Sequence, residues 1–467
     1  MVLIGKIISD PLNSKNYKEL VENWKSLLKT DSGKDGNQNS AIINRIFAAC
    51  TTDVSSTVTP KMFNQVYEWF VNEGLIKSNE ETSKNWFTKN QNLMRQLKKV
   101  FEAELSDVGN DDFDEYWLSM FVWYLYEEIV NPFSVKKQVI KYGAPGTGKT
   151  YSVKQQTKLF FAVWIDEFAP NSSFTYEQNM ELVQFHPSFT YEDFIEGLRP
   201  DLNGNLSLQN GVFKSFCQRA AQWEIDYYNL ENKPNYDGKE IAFEHLTIGK
   251  IKELNLSGKH WEHIRNSNDK DDDKKVIDAI PPFFFIIDEI NRAELSRVFG
   301  ELMYCLEYRG VSGCVNTQYS NLNNDQTGMI KVGEQHRFFI PNNVYVMGTM
   351  NTIDRSVESF DFALRRRFRW EAVPPDVTVL KNNLPKKWTD LASYLEKLNN
   401  VIAKEPILGP DYQIGHAYLM DMKYSKELSL TDVRDLIWDD SILPLLEEYL
   451  RGTGKSDLIK SLKKAFF

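Results

Sequence analysis

The residues with the most chemistry to offer are Gly143, Ala144, Pro145, Gly146, Thr147, Gly148, Lys149 and Thr150, with Tyr151 directly after them. Their spacing is GxxxxGK[ST]. The glycines let successive backbone N–H groups turn toward one anion, which a Cβ would obstruct. Lys149 adds a mobile positive charge suited to β- and γ-phosphates, and Thr150 offers a hard oxygen suited to Mg²⁺. Gly143 to Tyr151 is therefore the candidate nucleotide-binding segment. A second group is Asp288-Glu289. Asp288 suits the Mg²⁺ shell together with Thr150, and Glu289 suits the orientation and polarisation of water. A third group begins at Asn351, whose carboxamide can hydrogen-bond both a γ-phosphate and an attacking water. It continues at Arg365-Arg366-Arg367. Consecutive guanidinium groups between apolar residues need anionic partners. A neighbouring subunit's γ-phosphate is one such partner, which would make an arginine finger in trans; a salt-bridged helix end is the other reading.

The elements that must position these groups read as an open α/β sheet. Gln138-Val139-Ile140 is a short β-prone run before the glycine-rich loop, and a helix-compatible stretch follows Thr150. Phe283-Phe284-Phe285-Ile286-Ile287 is apolar without alternation, the pattern of a strand buried on both faces of a parallel sheet. Asp288 and Glu289 then sit at its carboxyl end, where such sheets bind ligands. Asn343 to Met350 reads as another buried strand, beside the acid-bearing one. Leu295, Val298, Phe299, Leu302 and Leu306 fall on one helical stripe that would pack on the sheet. Glu181 to His186 alternates like a strand, and Thr190 with Asp193 has the spacing of a capping box. His186 has no second His or Cys nearby and reads as structural. Gly310 to Phe339 is loop-rich and expected to form hairpins, which in a ring-forming NTPase can reach the central channel.

The chain has 467 residues, 42% hydrophobic, with a net charge of -10. That length supports two or three domains, and the charge argues against a chain coated in basic residues for nucleic acid. Residues 1–130 read as a helical N-terminal domain for target recognition or partner contact. Phe63, Val66, Tyr67 and Phe70 fall at helical spacing, as do Met94, Leu97 and Phe101, then Trp117, Met120, Phe121 and Tyr124. Such spacing is what a core produces. DNA binding there would need a local basic face, for which Arg95, Lys98 and Lys99 are candidates. Asn131-Pro132 marks a boundary, because a proline and its predecessor both resist continuing a helix. Residues 131–373 form the nucleotide-binding core, with a polar surface insertion near 224–279. Its acidic run, Asn266 to Lys275, lacks the Gly and Glu of a Ca²⁺ loop. Residues 374–467 read as a helical C-terminal lid, in which His416 and Arg451 are polar but expected to be structural. Four scattered cysteines without CxxC spacing point to a reducing cytoplasm. The first residues are too weakly apolar for a signal peptide, and no run of about 18 apolar residues predicts a membrane span.

Together, GAPGTGKT, FFFIIDEINRAELSRVFGEL, VMGTMNTIDRS and DFALRRRF resemble the AAA+ NTPase subunit of modification-dependent restriction systems, the McrB family. QFHPSFTYEDFIEGLRP, IGHAYL and LPLLEEYL are similar to that family as well. The resemblance covers most of Val135 to Arg451 and not the N-terminal block, which varies in this family and often holds the DNA-reading element. It implies an α/β AAA+ P-loop NTPase domain with a small helical C-terminal lid, assembled as a homo-hexamer. It implies hydrolysis of GTP, with ATP open, to drive DNA translocation. A separate McrC-like nuclease subunit would cut, and no complete PD…(D/E)xK pattern occurs here. Pro375-Asp376 and Pro410-Asp411 lack a properly spaced ExK. Met350-Asn351-Thr352-Ile353-Asp354 looks like a guanine-reading motif. Its place at a strand end beside Asp288-Glu289 instead makes Asn351 a γ-phosphate sensor and Asp354 its support. IGHAYL occupies the usual position of the lid arginine, so an arginine sensor in cis is not expected. The competing reading is a MoxR-like ATPase that remodels a protein partner.

Overall fold

The computed structural model describes residues 10–28, 40–72, 74–77, 85–102, 111–126, 133, 136–200, 204–236, 239–254, 256, 258–268, 271–353, 362–420, 428–455 and 457–467. Asp354 and the expected boundary at Asn131-Pro132 lie outside them. The chain divides into two units, Met1–Ser134 and Val135–Phe467.

The first unit is built from helices α1 (Ser14–Leu28), α2 (Ser40–Ala48), α3 (Pro60–Asn72), α4 (Trp86–Val100) and α5 (Asp111–Leu125). Phe63, Val66, Tyr67 and Phe70 of α3 and Phe87, Met94 and Leu97 of α4 are buried together. Asn85 caps α4, its Oδ1 accepting from the Thr88 N–H at 3.0 Å. In α5 the expected stripe is rotated. Leu118, Val122 and Leu125 are buried, whereas Trp117 and Tyr124 are more than half exposed. Aromatic residues occur on several faces of α5, so spacing alone does not select the buried one. The candidate basic face is weaker than its sequence suggests. Lys98 is held by Asp53 at 2.7 Å and Glu115 at 2.8 Å.

The second unit is organised on a five-stranded parallel sheet. Its strands are β1 (Gln138–Gly143), β2 (Met180–Gln184), β3 (Phe283–Asp288), β4 (Val344–Asn351) and β5 (Arg369–Ala372), in spatial order β5-β1-β4-β3-β2. Phe283 through Ile287 are all buried, as expected for a strand covered on both faces. The register pairs Gly143 with Asn351, Gly348 with Ile287, and Gln184 with Asp288. The carboxyl ends of β1, β4 and β3 are thus neighbours, which brings the glycine-rich loop, Asn351 and the two acids to one edge. Helix α6 (Lys149–Phe168) starts directly from that loop.

The stripe after the acids is two helices rather than one. They are α7 (Leu295–Phe299) and α8 (Leu302–Glu307), separated at Gly300, whose φ of 49° breaks helical continuity. All five expected apolar residues are nevertheless buried. Thr190 and Asp193 form the expected capping box, with the Thr190 N–H donating to Asp193 Oδ2 at 3.1 Å. The segment near 224–279 is more than a solvated insertion: Tyr227, Phe243, Ile248, Ile251, Trp261 and Ile264 join the core of the sheet. Within Gly310 to Phe339 a hairpin forms from Ile330–Val332 and Gln335–Arg337. A buried ion pair between Glu196 and Lys214, with Asn323 bonded to both, anchors the loop before that hairpin.

Short helix α9 (Phe362–Arg367) precedes β5. The helices α10 (Leu391–Lys404), α11 (Leu430–Ile437), α12 (Leu443–Leu450) and α13 (Leu458–Phe466) pack around Trp388, Leu395, Ile437, Trp438 and Phe466 as a separate hydrophobic cluster. Ser429 and Asp432 form a capping box at the start of α11.

Candidate functional site

The glycine-rich loop adopts the backbone its spelling predicts. Gly146 and Gly148 have φ of 75° and 76°, a left-handed conformation that side chains other than glycine rarely take. A Cβ on Gly143 would lie 2.5 Å from the Val373 carbonyl oxygen. Lys149 begins α6, and its ammonium donates to the carbonyls of Gly143 at 3.1 Å and Ala144 at 2.7 Å. Burial lowers its pKa to about 8, opposed by the negative charges of Glu289 and Asp288. Thr147 is buried and bonds back to Ala144, whereas the Tyr151 side chain is 70% exposed on the first turn of α6.

Asp288 and Thr150 meet as the sequence suggests. Thr150 Oγ1 donates to Asp288 Oδ1 at 2.7 Å, and Thr349 Oγ1 donates to the same oxygen at 2.5 Å. Two hard oxygens, one of them a carboxylate, converge at the loop. This fits Mg²⁺, which takes few protein ligands and fills its octahedron with waters and substrate phosphate oxygens. Glu289 is the one non-glycine among the described residues with positive φ, at 52°. That left-handed turn costs about 1 kcal/mol and marks a residue whose direction matters more than its comfort. Its Oε1 accepts from Asn351 Nδ2 at 2.5 Å, and its Oε2 lies 3.5 Å from Arg292 Nε. Asn291 Nδ2 in turn donates to the Asn351 carbonyl at 3.3 Å.

Several of these partners escape a motif reading. Thr349 and Asn351 stand two apart on β4 and so share a face, which the alternation of a strand could have revealed. Arg292 follows Glu289 by three residues, in a short turn whose geometry sequence does not fix. His416 is the largest addition. Buried Asn399 of α10 donates to the Ile414 carbonyl at 2.9 Å and accepts the Ile414 N–H at 2.7 Å, fixing the segment that follows. That segment lies on the glycine-rich loop. The Gly415 N–H donates to the Pro145 carbonyl at 3.2 Å, and the Ala417 N–H donates to the Gly146 carbonyl at 2.9 Å. A Cβ on Gly415 would collide with the Gly146 backbone at 2.0 Å. The His416 ring reaches Gly148, its Nε2 lying 3.3 Å from where a Cβ would stand. His416 Nδ1 accepts the Asp376 N–H at 3.2 Å, which leaves the proton on Nε2. Burial lowers the His416 pKa, against the pull of Asp376. Arg451 behaves differently: it is exposed and paired with Glu448 at 2.5 Å.

The three arginines are not at this edge. Gln138, the first residue of β1, donates through Nε2 to the Arg367 carbonyl at 2.8 Å, whereas the loop follows Gly143, the last. The strand between them spans about 17 Å at the usual rise. Arg365 lies over the Trp370 ring at 5.5 Å, Arg366 is largely exposed, and Arg367 is turned inward toward Glu307. Arg365 to Arg367 therefore stand at the opposite edge of the sheet from Lys149 and Glu289 of the same chain.

Two family descriptions match this chain. Residues 138–368 match an AAA domain of the dynein-related subfamily, and residues 390–456 match the alpha-helical lid domain of McrB. The EcoKMcrB subunit of the type IV methyl-directed restriction enzyme of Escherichia coli K12 is 30% identical over 423 residues, covering 86% of this chain and 70% of that protein. Component YdiS of the type II restriction enzyme BsuMI, from Bacillus subtilis 168, is 24% identical over 299 residues, covering 59% of this chain and 72% of that one. The solved structure of PCH-2 from C. elegans is 13% identical and covers 82% of this chain and 66% of its own, with a TM-score of 0.22. The two matched domains lie on the sheet and on the helical cluster described above, and the extent of the first relative settles the grouping: the chain is an AAA+ P-loop NTPase of the McrB family.

Proposed function

We propose that the chain is the nucleotide-hydrolysing motor subunit of a DNA restriction complex. It would hydrolyse GTP, or ATP, in a homo-hexameric cytoplasmic ring. Hydrolysis would drive DNA translocation toward a separate McrC-like nuclease subunit. The observation that carries the hydrolytic reading is the pair of contacts Thr150–Asp288 and Asn351–Glu289 at the mouth of the glycine-rich loop. The kinship with two restriction-enzyme subunits supports the restriction setting.

In this reading the backbone N–H groups of Gly143 to Thr150, with Lys149, bind the phosphates, and Tyr151 flanks them. Thr150 and Asp288 hold Mg²⁺, which supplies charge neutralisation on the phosphate oxygens. Glu289 accepts a proton from the attacking water, and Asn351 orients both that water and the Glu289 carboxylate. His416 Nε2–H donates to a phosphate oxygen from the lid, in place of an arginine. Arg365, Arg366 or Arg367 reaches the γ-phosphate bound by the next copy. Asp354 supports Asn351. Residues 1–130 recognise the target or a partner, residues 131–373 hold the nucleotide, and residues 374–467 form the lid.

The test is hydrolysis of GTP and of ATP by the purified full chain, with and without DNA and its nuclease partner. The expected result is turnover that rises when DNA and partner are both present. Good ATP hydrolysis that ignores GTP, DNA and nuclease would contradict it and favour remodelling of a protein.

A further inference from the structure

At the arginine edge, two cations converge on one anion. Arg367 Nη2 lies 3.1 Å from Glu307 Oε2, and Arg366 Nη2 lies 3.5 Å from the same oxygen. The Arg367 side chain is only 11% exposed, whereas that of Arg366 is 66% exposed. Glu307 ends α8, and the same place is tied by backbone. Gln138 Nε2 donates to the carbonyls of both Leu306 and Arg367, at 3.2 and 2.8 Å. Gln138 Oε1 accepts from Arg309 Nη2 at 2.8 Å, and Arg309 Nη1 donates to the Val344 carbonyl at 2.6 Å. The ends of α8 and α9 are thus fastened to the starts of β1 and β4, and Glu307 lies where the Arg366 and Arg367 guanidinium groups converge.

We propose that Glu307 is the positioning residue for the trans-acting arginines, an inference that rests on the reading of Arg365 to Arg367 given above. It holds Arg367 inward as a fixed support. It steers Arg366 outward through a contact loose enough to exchange. A pair this exposed and this long is worth little in water, so Arg366 leaves it at small cost for a phosphate. The exposed Arg366 guanidinium is the positive charge that a neighbouring copy's γ-phosphate meets.

The experiment uses full-length chains mixed before nucleotide is added. Glu307→Gln keeps the side-chain shape and removes the charge. It is expected to lower kcat about tenfold with KM nearly unchanged, as for an interaction made in the transition state, and Glu307→Asp is expected to recover part of the loss. Mixed in equal amounts with hydrolysis-dead Glu289→Gln chains, it is expected to recover about a quarter of the wild-type rate. One interface in four then joins an intact Glu289 site to an intact arginine donor in a closed ring. A general folding defect would not be complemented in this way. Arg366→Ala mixed with Glu289→Gln is the control. If the control recovers and Glu307→Gln either keeps its full rate or fails to recover, the role of Glu307 is overturned alone. If the control also fails to recover, the arginine reading falls and this inference with it.

Discussion

The two edges of the central sheet are built on opposite plans. At the carboxyl edge every reactive carboxylate already has partners within the chain: Asp288 holds Thr150 and Thr349, and Glu289 holds Asn351. At the amino edge the guanidinium groups face different ways, with Arg367 turned inward to Glu307, Arg366 largely exposed beside the same carboxylate, and Arg365 resting on Trp370. A self-contained edge is a place where something is bound and worked on. An edge that presents an exposed guanidinium group is, on the proposed function, a donor to something else. On the proposed function, one chain would carry two halves of a reaction site that stand a strand's length apart within it, and a ring of copies would join them.

Breaking either edge should give the largest effects, and the two should differ in kind. Glu289→Gln is expected to cut hydrolysis about a thousandfold while nucleotide binding persists, read by turnover assay beside binding of a fluorescent nucleotide. Arg366→Ala is expected to cost about as much, but only in assembled protein, with nucleotide affinity of the isolated chain unchanged. A full rate in Arg366→Ala rings would place the donor elsewhere. Asn351→Ala should lower kcat about a hundredfold, the loss expected when a group aligning water and base is removed; a change confined to KM would contradict that role. His416→Ala should weaken nucleotide binding about tenfold through loss of a charge-assisted hydrogen bond, with His416→Gln recovering part of it in a titration.

The smallest effect is one of pH. Lys149 has a pKa lowered to about 8 by burial in the free chain. Bound phosphates favour its charged form, so binding takes up a proton where the free lysine is deprotonated. Affinity for a non-hydrolysable nucleotide should then fall as pH rises above 8 and stay flat below it. Calorimetry in buffers of different ionisation heat reads that proton directly, and an absence of uptake at pH 9 would contradict the assignment.

Local spelling carried the carboxyl edge. A glycine-rich loop, an unbroken apolar strand and two acids imply their own geometry, because strand ends and loop backbones are set by near neighbours. The apolar stripe from Leu295 to Leu306 was legible as buried, yet its division at Gly300 was not, since a helix and two half-helices bury the same positions. Trp117 and Tyr124 misled for the opposite reason: α5 offers aromatics on more than one face. His416 was visible only as a histidine in place of an arginine. Its approach to Gly148 depends on Asn399 and Gly415, which are distant from the loop in sequence. Glu307 had no signal at all, because a lone carboxylate ending a helix is ordinary until two arginines are found on it.

The most direct test is to mix Glu289→Gln chains with Arg366→Ala chains, each nearly inactive by itself, and to measure hydrolysis as the ratio is varied. A site divided between neighbouring copies predicts recovery that peaks near equal amounts, because Arg366→Ala chains supply intact Glu289 and Glu289→Gln chains supply intact arginines. No recovery at any ratio, in mixtures shown to assemble together, would mean that the site is completed within one chain.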